Sequence, residues 1–111
     1  MNLRLFRNNT AIDVAQAASE HCHGDLILVD VRERDERLQG YPRGSWHVPL
    51  AELNHKLDEL PKHKPLAFIC QSGRRSAMAA TVARRAGLDA HNVAGGMTAW
   101  ERHDLETDRR R

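Results

Sequence analysis

The apolar positions of this chain fall into two kinds of segment, short continuous runs and longer stretches with helical spacing, and the two kinds alternate. The run Leu26-Ile27-Leu28-Val29-Asp30-Val31 is brief, rich in β-branched residues and lacks a polar face. Such a run predicts a strand covered on both sides, the signature of a parallel sheet. Pro65-Leu66-Ala67-Phe68-Ile69-Cys70 predicts a second buried strand, and His91-Asn92-Val93 a third. Between them lie the helical stretches. Thr10-Ala11-Ile12-Asp13 fits a capping box, in which the Thr10 hydroxyl accepts a helix N–H and the Asp13 carboxylate reaches back. The helix it opens is expected to run to about Cys22, with Ile12, Ala15 and Ala18 or Ser19 on its apolar face and Gly24 as its stop. Glu33 to Gln39 predicts a short charged helix, broken by Gly40-Tyr41-Pro42-Arg43-Gly44. Leu50, Leu53, Leu57 and Leu60 form a narrow stripe on a helix ending near Pro61. Ala79, Val82, Ala83 and Ala86 make one face of a helix closed by Gly87, and a final short helix holds Trp100. Strands alternating with helices imply an α/β fold.

Length and composition narrow the class. With 111 residues, 41% hydrophobic and 29% charged, the chain has room for one packed domain, expected over residues 1–105, followed by a frayed C-terminal tail over residues 106–111. No stretch approaches a membrane span, and Met1-Asn2-Leu3-Arg4-Leu5-Phe6-Arg7-Asn8-Asn9 is too short and polar for a signal peptide, so the expected address is the cytoplasm and no membrane partner is expected. The formal charge of +2, from 17 basic and 15 acidic residues, is too balanced for a surface that wraps nucleic acid. Charge is unevenly placed, however. From Cys70 to Leu88 there are four arginines, Arg74, Arg75, Arg84 and Arg85, and no acid, whereas Asp25 to Gln39 holds five acids against three arginines. One end of the molecule should favour anions.

Cys70 stands where a buried strand gives way to a helix, the place where ligands bind in open α/β sheets, and is followed by Gln71-Ser72-Gly73-Arg74-Arg75-Ser76. A short loop containing Gly73 can curl until successive backbone N–H groups converge, forming an anion nest reinforced by the positive end of the following helix. Donors so arranged favour thiolate over thiol, which is what a sulfur nucleophile requires near neutral pH, and Arg74 and Arg75 add positive charge for an anionic substrate. The plainer reading is a buried cysteine ending a strand beside solvated arginines. Cys22 and Cys70 are expected as free thiols rather than a disulfide.

The segment Cys70-Gln71-Ser72-Gly73-Arg74-Arg75-Ser76 resembles the Cys-x-x-Gly-x-Arg-Ser loop of rhodaneses, the thiosulfate:cyanide sulfurtransferases and their single-domain relatives. Leu28-Val29-Asp30-Val31-Arg32 is similar to that family's first signature, Gly40 to Pro49 to its Gly-His-Ile-x-Gly-Ala-x-x-Ile-Pro segment, and Asn92 to Trp100 to its closing Gly-Gly-x-x-x-Trp. The likeness departs at Tyr41 and Pro42 (commonly His-Ile), at Ser45 (commonly Ala) and at His103-Asp104-Leu105, none of which touches the cysteine loop. The resemblance implies a central, mainly parallel β-sheet flanked by helices on both faces. It also implies a two-step reaction in which Cys70 takes the sulfane sulfur of thiosulfate or another persulfide donor and passes it to cyanide or a thiol acceptor. Gln71, Ser72, Gly73, Arg74, Arg75 and Ser76 would form the anion-binding loop, only one of the two arginines facing the donor. Asp30 and Arg32 would be a structural ion pair. No metal or organic cofactor is implied; a sulfur-relay protein is a candidate partner.

Other residues carry plainer readings. Gly95 and Gly96 suit positive φ or close backbone approach, and Trp46 and Trp100 are expected as core or packing residues. His21-Cys22-His23 offers good zinc ligands but no fourth ligand motif, and reads as a helix end. Two competing functions remain. Phosphatase or arsenate-reductase chemistry uses Cys-x5-Arg in related folds, whereas four residues separate Cys70 from Arg75, a smaller cradle suited to a sulfur atom. A protein-to-protein sulfur carrier would use the same chemistry at Cys70.

Overall fold

The computed structural model describes residues 10–109. The polar N-terminal segment weighed as a signal peptide, and Arg110 and Arg111, lie outside the described residues. In chain order the elements are β1 (Ala11–Ile12), α1 (Val14–Cys22), β2 (Ile27–Asp30), α2 (Arg34–Leu38), β3 (Tyr41–Pro42), β4 (Trp46–His47), α3 (Leu53–Lys56), β5 (Leu66–Ile69), α4 (Arg74–Arg85), β6 (Ala90–Val93), α5 (Gly96–Arg102) and β7 (Thr107–Asp108). Five strands form one sheet in the order β1-β6-β5-β2-β4, and every pairing in it is parallel. The expected α/β architecture, with a mainly parallel central sheet and helices on both faces, is the observed one.

The continuous apolar runs alternate after all, but between two buried faces. Val29, Val31, Leu66, Phe68 and Cys70 point into a core shared with Leu53, Ala79, Ala80 and Ala83 of α3 and α4. Leu28, Ala67 and Ile69 point the other way, toward Val14 and Ala17 of α1 and Met97 and Trp100 of α5. Both faces are dry because helices cover both, so no polar position interrupts the run. Each fully buried Leu, Ile or Phe contributes about 1.5–3 kcal/mol by leaving water. Cys70, 1% exposed, belongs to the first of these cores.

Several expectations are corrected. The first helix is capped by Asp13, whose Oδ1 accepts the Gln16 N–H at 2.8 Å, because Ala11 and Ile12 are drawn into an edge strand beside β6. Its buried face is therefore Val14 and Ala17, while Ala15 is exposed. The leucine stripe is carried by α3 between two 3₁₀ turns, Leu50–Glu52 and Leu57–Glu59, rather than by one regular helix. In α4 the covered face is Ser76, Ala79, Ala80 and Ala83, with Ala86 exposed. Trp100 is buried as expected, but Trp46 is 42% exposed because β4 is the sheet's outer strand. Where a frayed tail was expected, Thr107–Asp108 pairs antiparallel with Tyr41–Pro42, the Trp100 indole donates to Glu106 O at 3.0 Å, and Arg43 pairs with Glu106 and Asp108.

Candidate active site

The ends of β2, β5 and β6 bring the site together. Past β5 the chain turns through Cys70-Gln71-Ser72-Gly73 and enters α4 at Arg74. Gly73 precedes the helix with φ +106°, a conformation that side chains rarely tolerate, and there its own N–H donates to Cys70 Sγ at 3.1 Å. The Ser76 N–H donates to the same sulfur at 3.3 Å, and the Ser76 hydroxyl lies 3.2 Å from it. Burial pushes the Cys70 thiol up, but the Ser76 hydroxyl and the N–H groups of Ser76, Gly73 and Ser72 together outweigh it and leave the thiol below its ordinary value. The expected nest is thus formed around the sulfur itself.

The loop is held from beneath by α5. Met97 N–H donates to Cys70 O at 2.8 Å and Thr98 N–H to Gln71 O at 3.1 Å. Gly96 permits this approach: a Cβ there would lie 2.6 Å from Gln71 O. Gln71 itself points sideways. Its Oε1 accepts from Arg32 Nη1 at 3.3 Å and its Nε2 donates to Thr98 Oγ1 at 3.1 Å, joining the loop to β2 and α5 at once. Behind it, fully buried Asp30 receives the Arg32 backbone N–H, Nε and Nη2, each at 3.0 Å, while Arg37 adds a fourth bond at 3.2 Å and lies over the Tyr41 ring. Arg32 also donates to Gly40 O at 2.6 Å. A buried carboxylate with two guanidinium partners and its lone pairs filled is a stable arrangement; removing either partner would strand a charge.

The two loop arginines part company. Arg75 Nη1 and Nη2 grip Glu36 Oε1 and Oε2 at 2.6 and 2.8 Å, a bidentate pair spanning α4 and α2. The Arg75 bond, ahead of a smaller opposing effect of burial, brings the Glu36 carboxyl from 4.5 down to about 2. Arg74 is exposed, and no ion pair involves it among the described residues. Ser72 is exposed at the mouth. Sequence reasoning found the loop and missed three residues that shape it: Glu36, Arg37 and Asn92, whose Oδ1 accepts from the Ser76 hydroxyl. Glu36 had one signal, its place at the third position of a helix opened by Glu33, since Glu36 also accepts the Glu33 N–H and closes a capping box.

Cys22 is exposed and Cys70 buried, and neither is bridged. Among the described residues no group of three or more His, Cys, Asp or Glu is placed to hold a metal, and no helix is long and apolar enough to cross a membrane.

A family model, the rhodanese-like domain, matches residues 13–103, nearly the whole span that carries the sheet and the cysteine loop. The chain belongs to the rhodanese-like family. YtwF of Bacillus subtilis is 38% identical to this rhodanese-like chain over 77 residues, covering 69% of it and 75% of YtwF. The thiosulfate sulfurtransferase GlpE of Pseudoalteromonas translucida is 29% identical over 91 residues, covering 81% of this chain and 87% of GlpE. The crystal structure of a rhodanese-related protein from Thermoplasma volcanium superimposes with a TM-score of 0.82 at 30% identity, covering 88% of this chain and 96% of that one. These relatives support a general sulfurtransferase role for this rhodanese-like chain.

Proposed function

We propose that this protein is a sulfurtransferase in which Cys70 is the nucleophile and carries the sulfur as a persulfide. The observation that carries the reading is the sulfur's own environment: a buried Sγ accepts N–H bonds from Gly73 and Ser76 at a helix start. In the first step the Cys70 thiolate attacks the outer sulfur of thiosulfate, a new S–S bond forms, the old one breaks, and sulfite leaves with the electron pair. In the second, cyanide or a thiolate attacks the outer sulfur of the persulfide and Cys70 departs as thiolate. The same N–H groups keep Cys70 as the thiolate that begins the cycle and stabilise it as the leaving group that ends it. Thiosulfate is favoured as a donor by the likeness to the thiosulfate sulfurtransferase GlpE and by the anion-favouring mouth, where Arg74 is exposed and makes no ion pair among the described residues while Arg75 is occupied by Glu36. Arg74 is thus assigned to the donor's sulfonate and Arg75 to holding the loop. Small sulfur donors and thiol or cyanide acceptors in the cytoplasm complete the reading; no cofactor enters it.

Hydrolytic phosphate chemistry fits less well, because its arginine must fork around the phosphate and the terminal nitrogens of Arg75 are both taken. The test is turnover by the purified protein. Sulfite release from thiosulfate and thiocyanate formation from cyanide are expected, both abolished in Cys70→Ser. Activity with a protein persulfide donor but none with thiosulfate would make the protein a sulfur carrier instead. Aryl phosphate hydrolysis lost in Cys70→Ser, without sulfur transfer, would overturn the proposal.

A further inference from the structure

The Ser76 hydroxyl stands between two groups that each have a use for its single proton. Its Oγ lies 3.2 Å from Cys70 Sγ and 2.5 Å from Asn92 Oδ1. An amide oxygen carries no hydrogen, so in the second contact the hydroxyl must donate. With its proton on Asn92, Ser76 turns only lone pairs toward the sulfur. It can accept the S–H of the thiol, but to donate to the thiolate it must first leave Asn92. Gly73 and Ser76 N–H groups have no such choice and donate to Sγ in either state.

We propose that Asn92 is a positioning residue for Cys70: by competing for the Ser76 proton it weakens one donor to the sulfur and so holds the resting nucleophile less acidic, and more reactive as a thiolate, than its loop could make it. The proposal rests on Cys70 being the nucleophile. Its chemical sense lies in a trade-off between the two steps. Each further donor raises the thiolate fraction but weakens the thiolate as an attacking group, its reactivity changing by about 0.4–0.5 log units per pKa unit. Once the loop has brought the thiol into range, an additional hydroxyl donor slows attack. Asn92 sits on β6, whereas Ser72 lies on the loop and Arg74 at the start of α4, so Asn92 reaches the sulfur's surroundings from a different element.

The charged groups near the sulfur lie on neighbouring elements. From α4 come exposed Arg74, which makes no ion pair among the described residues, and Arg75, whose charge is met by Glu36 of α2; at the end of β2 stands the Arg32–Asp30 pair, with Arg32 also bonded to Gln71; α5 presents Met97 and Thr98, which are uncharged. An uncharged substitution at Asn92 alters none of these.

The test measures iodoacetamide alkylation of Cys70 against pH in a Cys22→Ser background, comparing Asn92→Ala, Asn92→Leu, Ser76→Ala and the double variant Ser76→Ala/Asn92→Ala. Freed from Asn92, the Ser76 proton should turn to the sulfur and lower the midpoint by about one unit, the worth of one hydrogen bond. The two profiles then cross: alkylation becomes about threefold faster on the acidic limb and about threefold slower on the alkaline plateau, since a tenfold gain in thiolate is set against its lower reactivity. Asn92→Leu, which matches the amide in size without its polar atoms, should cross the same way and serves if the alanine variant fails to fold. In the Ser76→Ala background the Asn92 substitution should change nothing. A midpoint that rises or stays put, or an Asn92 effect that survives without Ser76, overturns the proposal. Because alkylation needs no sulfur donor, this outcome is independent of whether thiosulfate loads Cys70.

Discussion

Replacing Gly96 with alanine should damage the protein far more than the same change at Gly87, and the difference can be worked from geometry. Both glycines have positive φ, +55° at Gly96 and +90° at Gly87, so each alanine meets the left-handed penalty of about 1–2 kcal/mol. At Gly87 nothing lies within 4 Å of the added Cβ, and the penalty ends there. At Gly96 the Cβ would stand 2.6 Å from Gln71 O and 2.7 Å from Gln71 C, and Cys70 O is nearer still. These are backbone atoms, and they are the ones held by the Met97 and Thr98 N–H groups. Relief therefore requires the cysteine loop to move off α5 and lose two hydrogen bonds, adding about 1–3 kcal/mol to the strain. Thermal and urea unfolding should place Gly96→Ala about 2–5 kcal/mol below the parent and Gly87→Ala about 1–2 kcal/mol below. For a domain of this size that separates the two melting temperatures by on the order of 5–15 °C. Gly96→Ala should also lose most sulfur transfer even where it is folded, because the moved loop no longer aims its N–H groups at Sγ. Equal stability of the two variants would refute the claim that α5 packs against and aims the loop.

Other consequences follow from the charged pairs and the thiols. Glu36 is depressed from 4.5 to about 2, so its pair with Arg75 stabilises the fold above pH 4.5 and is lost as pH falls toward 2. With both side chains about one-third exposed, at 29% and 35%, solvent screening cuts that contribution to about 1 kcal/mol. Denaturation of Glu36→Gln should show that deficit at neutral pH and none near pH 2, and a deficit independent of pH would exclude the pairing as its cause. Arg74→Ala should raise the KM for thiosulfate several-fold with little change in kcat, whereas Arg75→Ala should lower stability by about 1 kcal/mol and reduce kcat through a loosened loop. Equal effects of the two substitutions on KM would remove the division of roles. Because the thiol of Cys70 lies below its ordinary value, its alkylation by iodoacetamide should have a midpoint below that of an ordinary cysteine, and thiosulfate should slow it. An ordinary midpoint without protection by thiosulfate would leave the loop without its proposed effect.

What the sequence revealed depended on how far each element carries its own pattern. The strands β2 and β5 were legible because their side chains fill two dry faces, leaving a continuous apolar run that few other structures permit. The loop at Cys70 was legible because glycine and a following helix are needed to turn N–H groups inward. Strands of two residues, such as β1, β3, β4 and β7, have no period to read; they exist because a partner strand lies beside them. That is why the sequence points to Thr10 for the cap that Asp13 provides, and to a frayed tail where Thr107–Asp108 pairs with Tyr41–Pro42. The leucine stripe reported its buried face correctly at Leu53 and Leu60 but could not report that the backbone tightens into 3₁₀ turns on either side. Within the site, Asn92 and Glu36 are hidden for the same reason: Asn92 sits within a four-residue strand and Glu36 within a charged helix, and only the fold brings them to Ser76 and Arg75.

The central claim is that sulfur is carried on Cys70, and the mass of one peptide tests it. Purified protein is incubated with thiosulfate, freed of small molecules, digested without reductant and analysed for the peptide containing Cys70, with Cys70→Ser and Cys22→Ser treated alike. The account predicts that the Cys70 peptide gains the mass of one sulfur atom, that cyanide removes it as thiocyanate, and that Cys22→Ser behaves as the parent. A peptide unchanged in mass while turnover continues, or a sulfur found on Cys22 instead, would contradict it.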